Sequence, residues 1–360
     1  MGEALKPVPV PLGQVPEVAA LLTRLGLGAL RQDAVSAFFG RNDTWAGVTD
    51  TGMPVFVKRT LGEAGQVRRM VGRTRAMGVA LDGHPVIHTP RFLGGDDDMG
   101  LLAFTLLEEA RSGVDLAEDG DFTWDLAHAA GTQVGTLHDL PAPEAVAADD
   151  SAPPMPPRDR LAALTLEEYT AAGGAELETW AILHDDPVVT RAIDDLCERE
   201  RRGPRVLAHG DLRLDQLLHH DGVLYLTDWE EARLADAARD VGAFAGEWLY
   251  RGVLGMAGPD DGLNDREVIA AGARRFEELR PYVEAFWTGY LEARPAARDD
   301  HELPVRAVAF AGWHLIDRIM VTAHQRGRLS ALQRAVAGVG RTALLRPADL
   351  TATLGLGEGR

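Results

Sequence analysis

Short apolar runs separated by turn residues fill the first hundred positions and predict a small antiparallel sheet. Strand-like runs occupy 34–39, 44–49 and 53–59, with Gly, Asn and Asp in the turns between them. A stripe of apolar residues at helical spacing covers 14–32 and predicts a helix before the sheet. The apolar run Leu101–Leu107 predicts a further strand. The N-terminal part of the chain is therefore predicted to be built on a sheet.

From about position 125 onward, the apolar residues follow the helical period, which predicts a mainly helical part. A stretch rich in Pro and Ala, 141–157, interrupts this pattern and predicts a loop. Together the patterns indicate an α+β fold, with a small antiparallel-sheet lobe and a larger, mainly helical lobe. The predicted helices are 125–140, 158–173, 186–202, 240–255, 264–294, 302–326 and 328–345.

A hairpin within the helical part groups three oxygen-bearing side chains. Two short apolar runs, 217–218 and 223–226, flank an Asp-Gly dipeptide that is typical of hairpin turns. The hairpin would bring Asp211, Gln216 and Asp228 to the same end of a small sheet. In phosphoryl transfer, one carboxylate accepts the proton of the attacking hydroxyl, while other oxygen ligands hold magnesium against ATP phosphates. The grouping therefore predicts a phosphotransferase site.

Composition and charge exclude several other classes. The 360-residue chain has a formal net charge of −18, whereas a nucleic-acid binder usually carries a positive patch. No apolar run approaches the ~18 residues that span a membrane, and the N-terminus lacks the features of a signal peptide. Cys197 is the only cysteine, so no intrachain disulfide forms. We therefore predict a cytoplasmic protein that binds neither nucleic acid nor membrane.

Four motifs resemble those of the aminoglycoside phosphotransferase and choline kinase family. HGDLRLDQ at 209–216 resembles the catalytic loop usually written HGDxxxxN, and DWE at 228–230 resembles the metal-binding triplet that corresponds to DFG in protein kinases. ARDV at 238–241 and GTLHDL at 135–140 resemble two further segments of that family. The resemblance spans about 35–330 and implies a bilobal protein-kinase-like fold.

The resemblance also implies a domain organisation. The N-terminal lobe is expected at 1–107, with a leading helix, the sheet and one further helix. An inter-lobe linker, 108–113, is expected to bind adenine through its backbone. The C-terminal helical lobe, 114–360, is expected to contain the catalytic loop 209–216 and the metal-binding segment 226–230.

In the catalytic loop, Asp211 is the implied general base that orients the substrate hydroxyl toward the γ-phosphate. Arg213 is implied to stabilise charge on the transferred phosphoryl group. His209 is implied to hold the loop through hydrogen bonds, and Asp240 is implied to anchor the loop by accepting backbone amides.

Gln216 and Asp228 are the implied magnesium ligands, because Mg²⁺ prefers hard oxygen ligands. Glutamine stands at 216 where the family usually has asparagine. Its amide oxygen is the same ligand on a stem one methylene longer. Two outcomes stay open: Gln216 ligates magnesium, or a second metal site is weakened.

The N-terminal lobe is implied to contact ATP. Lys58 lies near the end of the strand predicted at 53–59 and is implied to pair with the α- and β-phosphates. The turn that begins with Gly40, Arg41 and Asn42 takes the place of a phosphate-covering loop, although an ordinary hairpin turn explains it equally well. Glu63 opens an otherwise basic helix, so either it pairs with Lys58 or that ion pair is absent. The implied ATP-binding residues are Lys58, Gly40, Arg41, Asn42, Glu63 and Glu108.

Three functions remain open from the sequence. The phrases GRNDTWAG, HGDLRLDQ and RDVGAFAGEWLYRG resemble stand-alone kinase subunits of class V lanthipeptide and thioamitide biosynthesis. That resemblance implies ATP- and Mg²⁺-dependent phosphorylation of Ser or Thr in a ribosomally made precursor peptide before elimination, together with a separate lyase-like partner protein. The first alternative is a small-molecule kinase, such as an aminoglycoside or other antibiotic O-phosphotransferase. The second alternative is a pseudokinase scaffold, suggested by Gln216 and Glu63.

Overall fold

The computed structural model describes residues 8–31, 35–38, 42–153, 156–254, 265–323 and 327–357. The chain forms two compact units, and each unit draws on several separate stretches of sequence. The sheet unit comprises Met1–Asp119, Pro141–Asp150 and Asp215–Arg233. The helical unit comprises Gly120–Leu140, Ser151–Leu214 and Leu234–Arg360. The lobe and linker boundaries expected from the sequence stay a prediction.

Strands and helices are numbered in chain order over the described residues. The strands are β1 Asp43–Val48, β2 Pro54–Arg59, β3 Phe92–Asp96, β4 Leu101–Thr105, β5 Arg111–Ser112, β6 Val206–Ala208, β7 Leu217–His220, β8 Val223–Leu226 and β9 Arg233–Ala235. The helices are α1 Pro16–Arg24, α2 Ala64–Ala80, α3 Gly113–Asp119, α4 Trp124–Asp139, α5 Glu144–Ala147, α6 Arg158–Ala162, α7 Leu166–Ala171, α8 Gly174–His184, α9 Pro187–Arg202, α10 Ala238–Leu254, α11 Asp265–Ala293, α12 Leu303–Ala323, α13 Ala331–Leu345 and α14 Pro347–Leu350.

The sheet unit contains a four-stranded antiparallel sheet in the order β1-β2-β4-β3. Side chains alternate along β2, so that Val55 and Val57 are fully buried on one face. Phe56 and Lys58 lie on the opposite face and are partly exposed. Because β1 and β4 pair with β2 on either side, an inner strand supports Lys58.

Helices pack on both faces of this sheet. From α1, Leu21 and Leu22 join the same apolar core as Val57. On the other face, Val71 of α2 packs against Leu102 of β4. Each such buried aliphatic side chain contributes roughly 2 kcal/mol through removal of apolar surface from water. This packing fixes the strand that carries Lys58.

The predicted hairpin is present as β7 and β8, which form a three-stranded sheet with β5. Its turn residues, Asp221 and Gly222, have φ angles of +48° and +77°. Positive φ at both central residues suits the right-handed twist of the flanking strands, which explains the Asp-Gly pair. The register places Gln216 beside Thr227, whose backbone N–H donates to the Gln216 carbonyl at 3.0 Å.

In the helical unit, α4 and α11 pack at very short distance. Gly131 and Gly135 of α4 face the backbone of α11, and a Cβ at Gly135 would lie 2.7 Å from the carbonyl oxygen of Tyr290. Only glycine permits this approach, because any side chain would overlap the neighbouring backbone. The close packing brings His138 Nδ1 to 2.9 Å from the Tyr290 hydroxyl.

Two helices differ from their predicted lengths. The helix predicted at 14–32 begins at Pro16 and ends at Arg24, because the chain turns through Gly26 with a φ of +71°. The helix predicted at 158–173 is two helices, α6 and α7. The break occurs because Thr165 forms a capping box with Glu168 and starts a new helix.

The strand predicted at 34–39 is described only in part, and there Ser36 forms an isolated bridge with Ala46. No helix among the described residues combines the length and the apolar character needed to cross a membrane. The predicted α+β class, with a small antiparallel sheet region and a larger helical part, is confirmed.

Candidate active site

The ammonium group of Lys58 lies between two carboxylates that follow the hairpin. Lys58 Nζ donates to Asp228 Oδ1, and it donates to Glu230 Oε2 at 2.7 Å. The side chains of Lys58 and Glu230 are 11% and 10% exposed. A hydrogen bond between charged groups is about twice as strong as one between neutral groups, so this network is well defined.

The charge of Lys58 is maintained by its partners. Burial alone would lower the pKa of Lys58, because desolvation disfavours the ammonium form. The charges and hydrogen bonds of Asp228 and Glu230 outweigh burial, and the pKa is raised above its ordinary value of 10.5. Lys58 is therefore positively charged at physiological pH and suited to bind phosphate oxygens.

Asn42 extends this network toward the start of the sheet. Its Nδ2 donates to Glu230 Oε2 at 3.2 Å, and its Oδ1 accepts the backbone N–H of Leu61 at 3.1 Å. Asn42 precedes β1 and Leu61 follows β2, so this amide joins the two strand ends to the Lys58 network.

Asp228 has a left-handed backbone, with φ of +65° and ψ of +61°. This conformation costs roughly 1–2 kcal/mol for a residue other than glycine. The next residue, Trp229, is buried, and its indole N–H donates to Thr89 Oγ1 at 3.0 Å. Strained backbone of this kind is typical of functional sites, where the surrounding structure holds it in place.

Gln216 and Asp228 offer oxygen ligands at the same end of the hairpin. Gln216 is buried, and Thr227 Oγ1 lies 3.4 Å from its amide oxygen and 3.1 Å from its carbonyl oxygen. Across the described residues, no group of three or more His, Cys, Asp or Glu side chains is arranged to hold a metal ion. Mg²⁺ typically binds one or two protein oxygens together with phosphate oxygens and water, so the donor set fits this ion.

In the helical unit, Asp240 holds the loop that contains Asp211. Its carboxylate accepts the backbone N–H of His209 at 2.7 Å and that of Gly210 at 2.9 Å. Burial alone would raise the pKa of Asp240, but the hydrogen bond and charge of His138, the charge of His209 and the backbone N–H of Gly210 together lower it. Asp240 is therefore an ionised anchor of the loop.

The anchor is itself supported by a buried chain of hydrogen bonds. His138 Nε2 donates to Asp240 Oδ2 at 3.0 Å, and Arg294 Nη1 donates to the Tyr290 hydroxyl at 3.0 Å. Burial raises the pKa of Tyr290 to about 12, so its hydroxyl remains protonated and bonds His138 Nδ1. The chain connects α4 and α11 to the catalytic loop.

Arg213 and Asp211 are partly exposed on the same loop, with Arg213 Nε 3.5 Å from Asp211 Oδ2. Behind them, the buried carboxylate of Glu247 accepts a hydrogen bond from His314 Nε2 at 2.7 Å. Burial alone would raise the pKa of Glu247. His314, Arg318 and Arg213 lower it to about 2. Glu247 therefore supplies a fixed negative charge near Arg213.

The structure distributes the residues singled out from the sequence over both units. It joins Lys58, Asn42 and Asp228 in one network, and it joins His209 and Asp240 in another. Gly40 and Arg41 lie outside the described residues. The sheet unit contains Lys58, Asn42, Glu63, Glu108, Gln216 and Asp228, and the helical unit contains His209, Asp211, Arg213 and Asp240. The catalytic, metal-binding and ATP-binding roles of these residues stay predictions.

Glu63 occupies a different position from Lys58's partners. It is exposed at the N-cap of α2, and no hydrogen bond or ion pair joins these two described residues. Glu230 pairs with Lys58 instead, and sequence reasoning missed it. The signal for it was the absence of any acidic residue within α2. Glu108 is exposed in the turn before β5.

Comparisons with known proteins give the family and the fold of this chain. The family model of the phosphotransferase enzyme family (APH) matches residues 40–299. A choline/ethanolamine kinase family protein from Mesorhizobium loti is 15% identical, with a TM-score of 0.53, and the match covers 96% of this chain and 99% of that chain. A glucosamine kinase in complex with glucosamine, ADP and inorganic phosphate is 18% identical, with a TM-score of 0.52 and coverages of 96% and 88%.

An amicoumacin kinase in complex with AMP-PNP, Ca²⁺ and Ami is 13% identical, with a TM-score of 0.51 and coverages of 92% and 95%. At these identities the three structures establish the fold, and the predicted protein-kinase-like class is confirmed. A search of the curated proteins gave no significant match.

Proposed function

The chain belongs to the phosphotransferase enzyme family, and from this premise we propose that it is an ATP- and Mg²⁺-dependent kinase for an alcohol acceptor. The oxygen of the acceptor hydroxyl bonds to the γ-phosphorus of ATP while the bond between that phosphorus and the ADP oxygen breaks. Asp211 takes the proton of the hydroxyl. Lys58 binds the α- and β-phosphates, and Arg213 stabilises charge on the transferred group. Because ATP is the donor, a cytoplasmic location is part of the proposal.

Gln216 and Asp228 would hold the magnesium ion, which neutralises phosphate charge when it is bound. The ammonium group of Lys58 beside Asp228 is the observation on which the proposal mainly depends. It supports the proposal because one hydrogen-bonded network would then contain both the phosphate-binding cation and a metal-binding carboxylate.

A small molecule is the acceptor that we favour. The glucosamine kinase and the amicoumacin kinase, which share this fold, act on small molecules by their names. The second candidate is Ser or Thr of a ribosomally made precursor peptide, modified before elimination with a separate lyase-like partner. It rests on the similarity of 40–47 and 209–216 to kinase subunits of class V lanthipeptide and thioamitide pathways.

Asp211→Asn tests the proposal. ADP release and product mass are measured with ATP, Mg²⁺ and a panel of amino sugars, aminoglycosides and any precursor peptide that is encoded next to this chain. A phosphorylated product gains about 80 Da. The variant should lose roughly 10²–10⁴-fold in turnover. Asp215→Asn is the matched control, because it removes an exposed carboxylate from the same loop and should retain activity.

The outcomes separate the candidates. Turnover of amino sugars supports the small-molecule acceptor, and a mass gain on the peptide alone would replace it with the peptide kinase. No turnover by the wild type in any assay would overturn the proposal and favour a pseudokinase scaffold, and equal turnover by the wild type and Asp211→Asn would exclude Asp211 as the base.

A further inference from the structure

Helix α2 is positively charged, whereas the equivalent helix of a protein kinase supplies a negatively charged glutamate to the strand lysine. It contains four arginines and no Asp or Glu: Arg68, Arg69, Arg73 and Arg75. In protein kinases a glutamate of this helix pairs with the lysine. Here Glu230, on the metal-binding segment, makes that bond to Lys58 at 2.7 Å. Helix α2 therefore does not supply the acidic partner of Lys58.

One of these arginines is buried and binds the segment that supplies the lysine's partner. Arg73 is 4% exposed, and its Nε donates to the backbone carbonyl of Glu230 at 2.8 Å. Its Nη2 lies 3.5 Å from Glu231 Oε2. A planar guanidinium with several fixed donors can hold such a segment in one orientation, whereas a lysine ammonium cannot.

The charge of Arg73 is balanced within the same unit. Nη1 donates to Asp149 Oδ2 at 2.7 Å, and the Asp149 side chain is 8% exposed. A buried cation requires such a partner, because desolvation is costly otherwise. Asp149 directly follows the turn that ends α5, so Arg73 connects this turn, α2 and the metal-binding segment.

We propose that Arg73 is a positioning residue that fixes the Glu230 backbone, so that the carboxylates of Asp228 and Glu230 face Lys58. The bound carbonyl lies in the short helical turn Trp229–Glu231, which directly follows Asp228, and the left-handed backbone of Asp228 needs external support. A rotation at residue 230 would therefore move both carboxylates. This inference rests on the proposed function, because it assigns Arg73 to the binding of the ATP phosphates and metal.

The test compares two arginines of the same helix. Arg73→Lys keeps the positive charge and removes the planar guanidinium group with its fixed donors. Arg75→Lys makes the same change at a half-exposed site paired with Asp97. Affinity for Mg·ADP is measured by calorimetry on the full chain, with the melting temperature as a check of folding. Arg73→Lys should weaken Mg·ADP binding about tenfold and raise the Mg²⁺ concentration needed for half-maximal ADP binding. Arg75→Lys should leave both quantities unchanged.

A second pair of variants shows whether Arg73 acts through Glu230. The losses of Mg·ADP affinity caused by Glu230→Gln and Arg73→Lys should be non-additive. The double variant should bind Mg·ADP as tightly as the single variant that has the lower affinity. Asp149→Asn, which leaves the bond to the Glu230 carbonyl in place, should show an intermediate loss. It also serves as the test if Arg73→Lys fails to fold.

Unchanged Mg·ADP affinity in Arg73→Lys, equal losses at Arg73 and Arg75, or independent losses that multiply would each overturn the inference. A lower melting temperature without a change in affinity would also overturn it, because that result describes a purely structural arginine. If the wild type binds Mg·ADP and transfers phosphate to no acceptor, the proposed function fails, and the Arg73 measurements still decide the inference.

Discussion

The imidazole of His138 donates from Nε2 to the carboxylate of Asp240 at 3.0 Å, and neither side chain is exposed. The same carboxylate accepts two backbone N–H groups from the loop that carries Asp211. One buried charge therefore sets the conformation of the catalytic loop, and its loss should affect both stability and turnover.

Asp240→Asn should reduce the free energy of unfolding by about 3 kcal/mol, because it leaves buried donors without their anion. The folded pKa of Asp240 is lowered, so its contribution is complete above the ordinary carboxyl pKa and is lost as pH falls through the folded value. Urea unfolding at pH 7 and at pH 3 measures this difference. Asp139→Asn, at a half-exposed site paired with Arg294, should cost under about 1 kcal/mol. Similar losses in both variants would contradict the anchor role.

Glu247 should make acid unfolding steeper. Its folded pKa is about 2 and its ordinary value is 4.5, so the unfolded chain binds a proton in this interval while the folded chain does not. The wild type should therefore lose roughly 3 kcal/mol as pH falls from about 5 to 2, and Glu247→Gln should show a shallower slope. Glu277→Gln, at an exposed site, should keep the wild-type slope. Equal slopes for both variants would argue against a charged Glu247.

Glu230→Gln should lower kcat/KM for ATP by roughly 10–100-fold, because Lys58 loses its second carboxylate partner. Glu63→Gln is the matched control, since Glu63 is the glutamate that the kinase pattern would assign to Lys58. It should keep activity within about twofold, as it is exposed at the N-cap of α2. Steady-state kinetics with varied ATP decides between them, and a larger effect at Glu63 would reverse the assignment.

Gln216→Ala should raise the Mg²⁺ concentration for half-maximal activity about tenfold, because the buried amide oxygen is lost. Gln216→Asn should give a smaller effect, since it retains an amide on a shorter stem. Gln14→Ala, at an exposed site of the sheet unit, is the control. Activity across a Mg²⁺ titration gives the answer, and an unchanged midpoint in Gln216→Ala would exclude a metal-binding role.

Gly131→Ala should destabilise the chain by about 3 kcal/mol, because the new Cβ would overlap the carbonyl oxygen of Phe286. Gly72→Ala, in α2, meets no atom within 4 Å. It should stabilise the chain by about 0.5–1 kcal/mol, because alanine favours a helix. Thermal unfolding of the two variants should therefore shift in opposite directions.

Local patterns predicted much of this structure. The Asp221–Gly222 pair predicted the hairpin, because few residues adopt positive φ in such a turn. The apolar run and flanking turns at 53–59 predicted the strand that contains Lys58, which is observed as Pro54–Arg59. Each of these patterns depends only on residues that are close together in the sequence, so the sequence alone is enough to predict the element.

Contacts between residues far apart in sequence could not be predicted from such local patterns. Glu230 lies 172 residues from Lys58, and Arg73 lies 157 residues from the carbonyl that it binds. No local period encodes such contacts, and an arginine-rich helix is compatible with plain solvent exposure. The kinase pattern offered Glu63 because it is the only acidic residue of that segment, whereas strand pairing and helix packing bring Glu230 to the lysine in three dimensions.

The sheet unit is completed by residues 215–233, which follow the first part of the helical unit in sequence. During synthesis, Lys58 leaves the ribosome long before Asp228 and Glu230, 170 and 172 residues later. A nascent chain that stops before the hairpin therefore holds Lys58 on a complete four-stranded sheet without its two carboxylate partners. An exchange of this unit between relatives would need three separate segments to be replaced together, 1–119, 141–150 and 215–233.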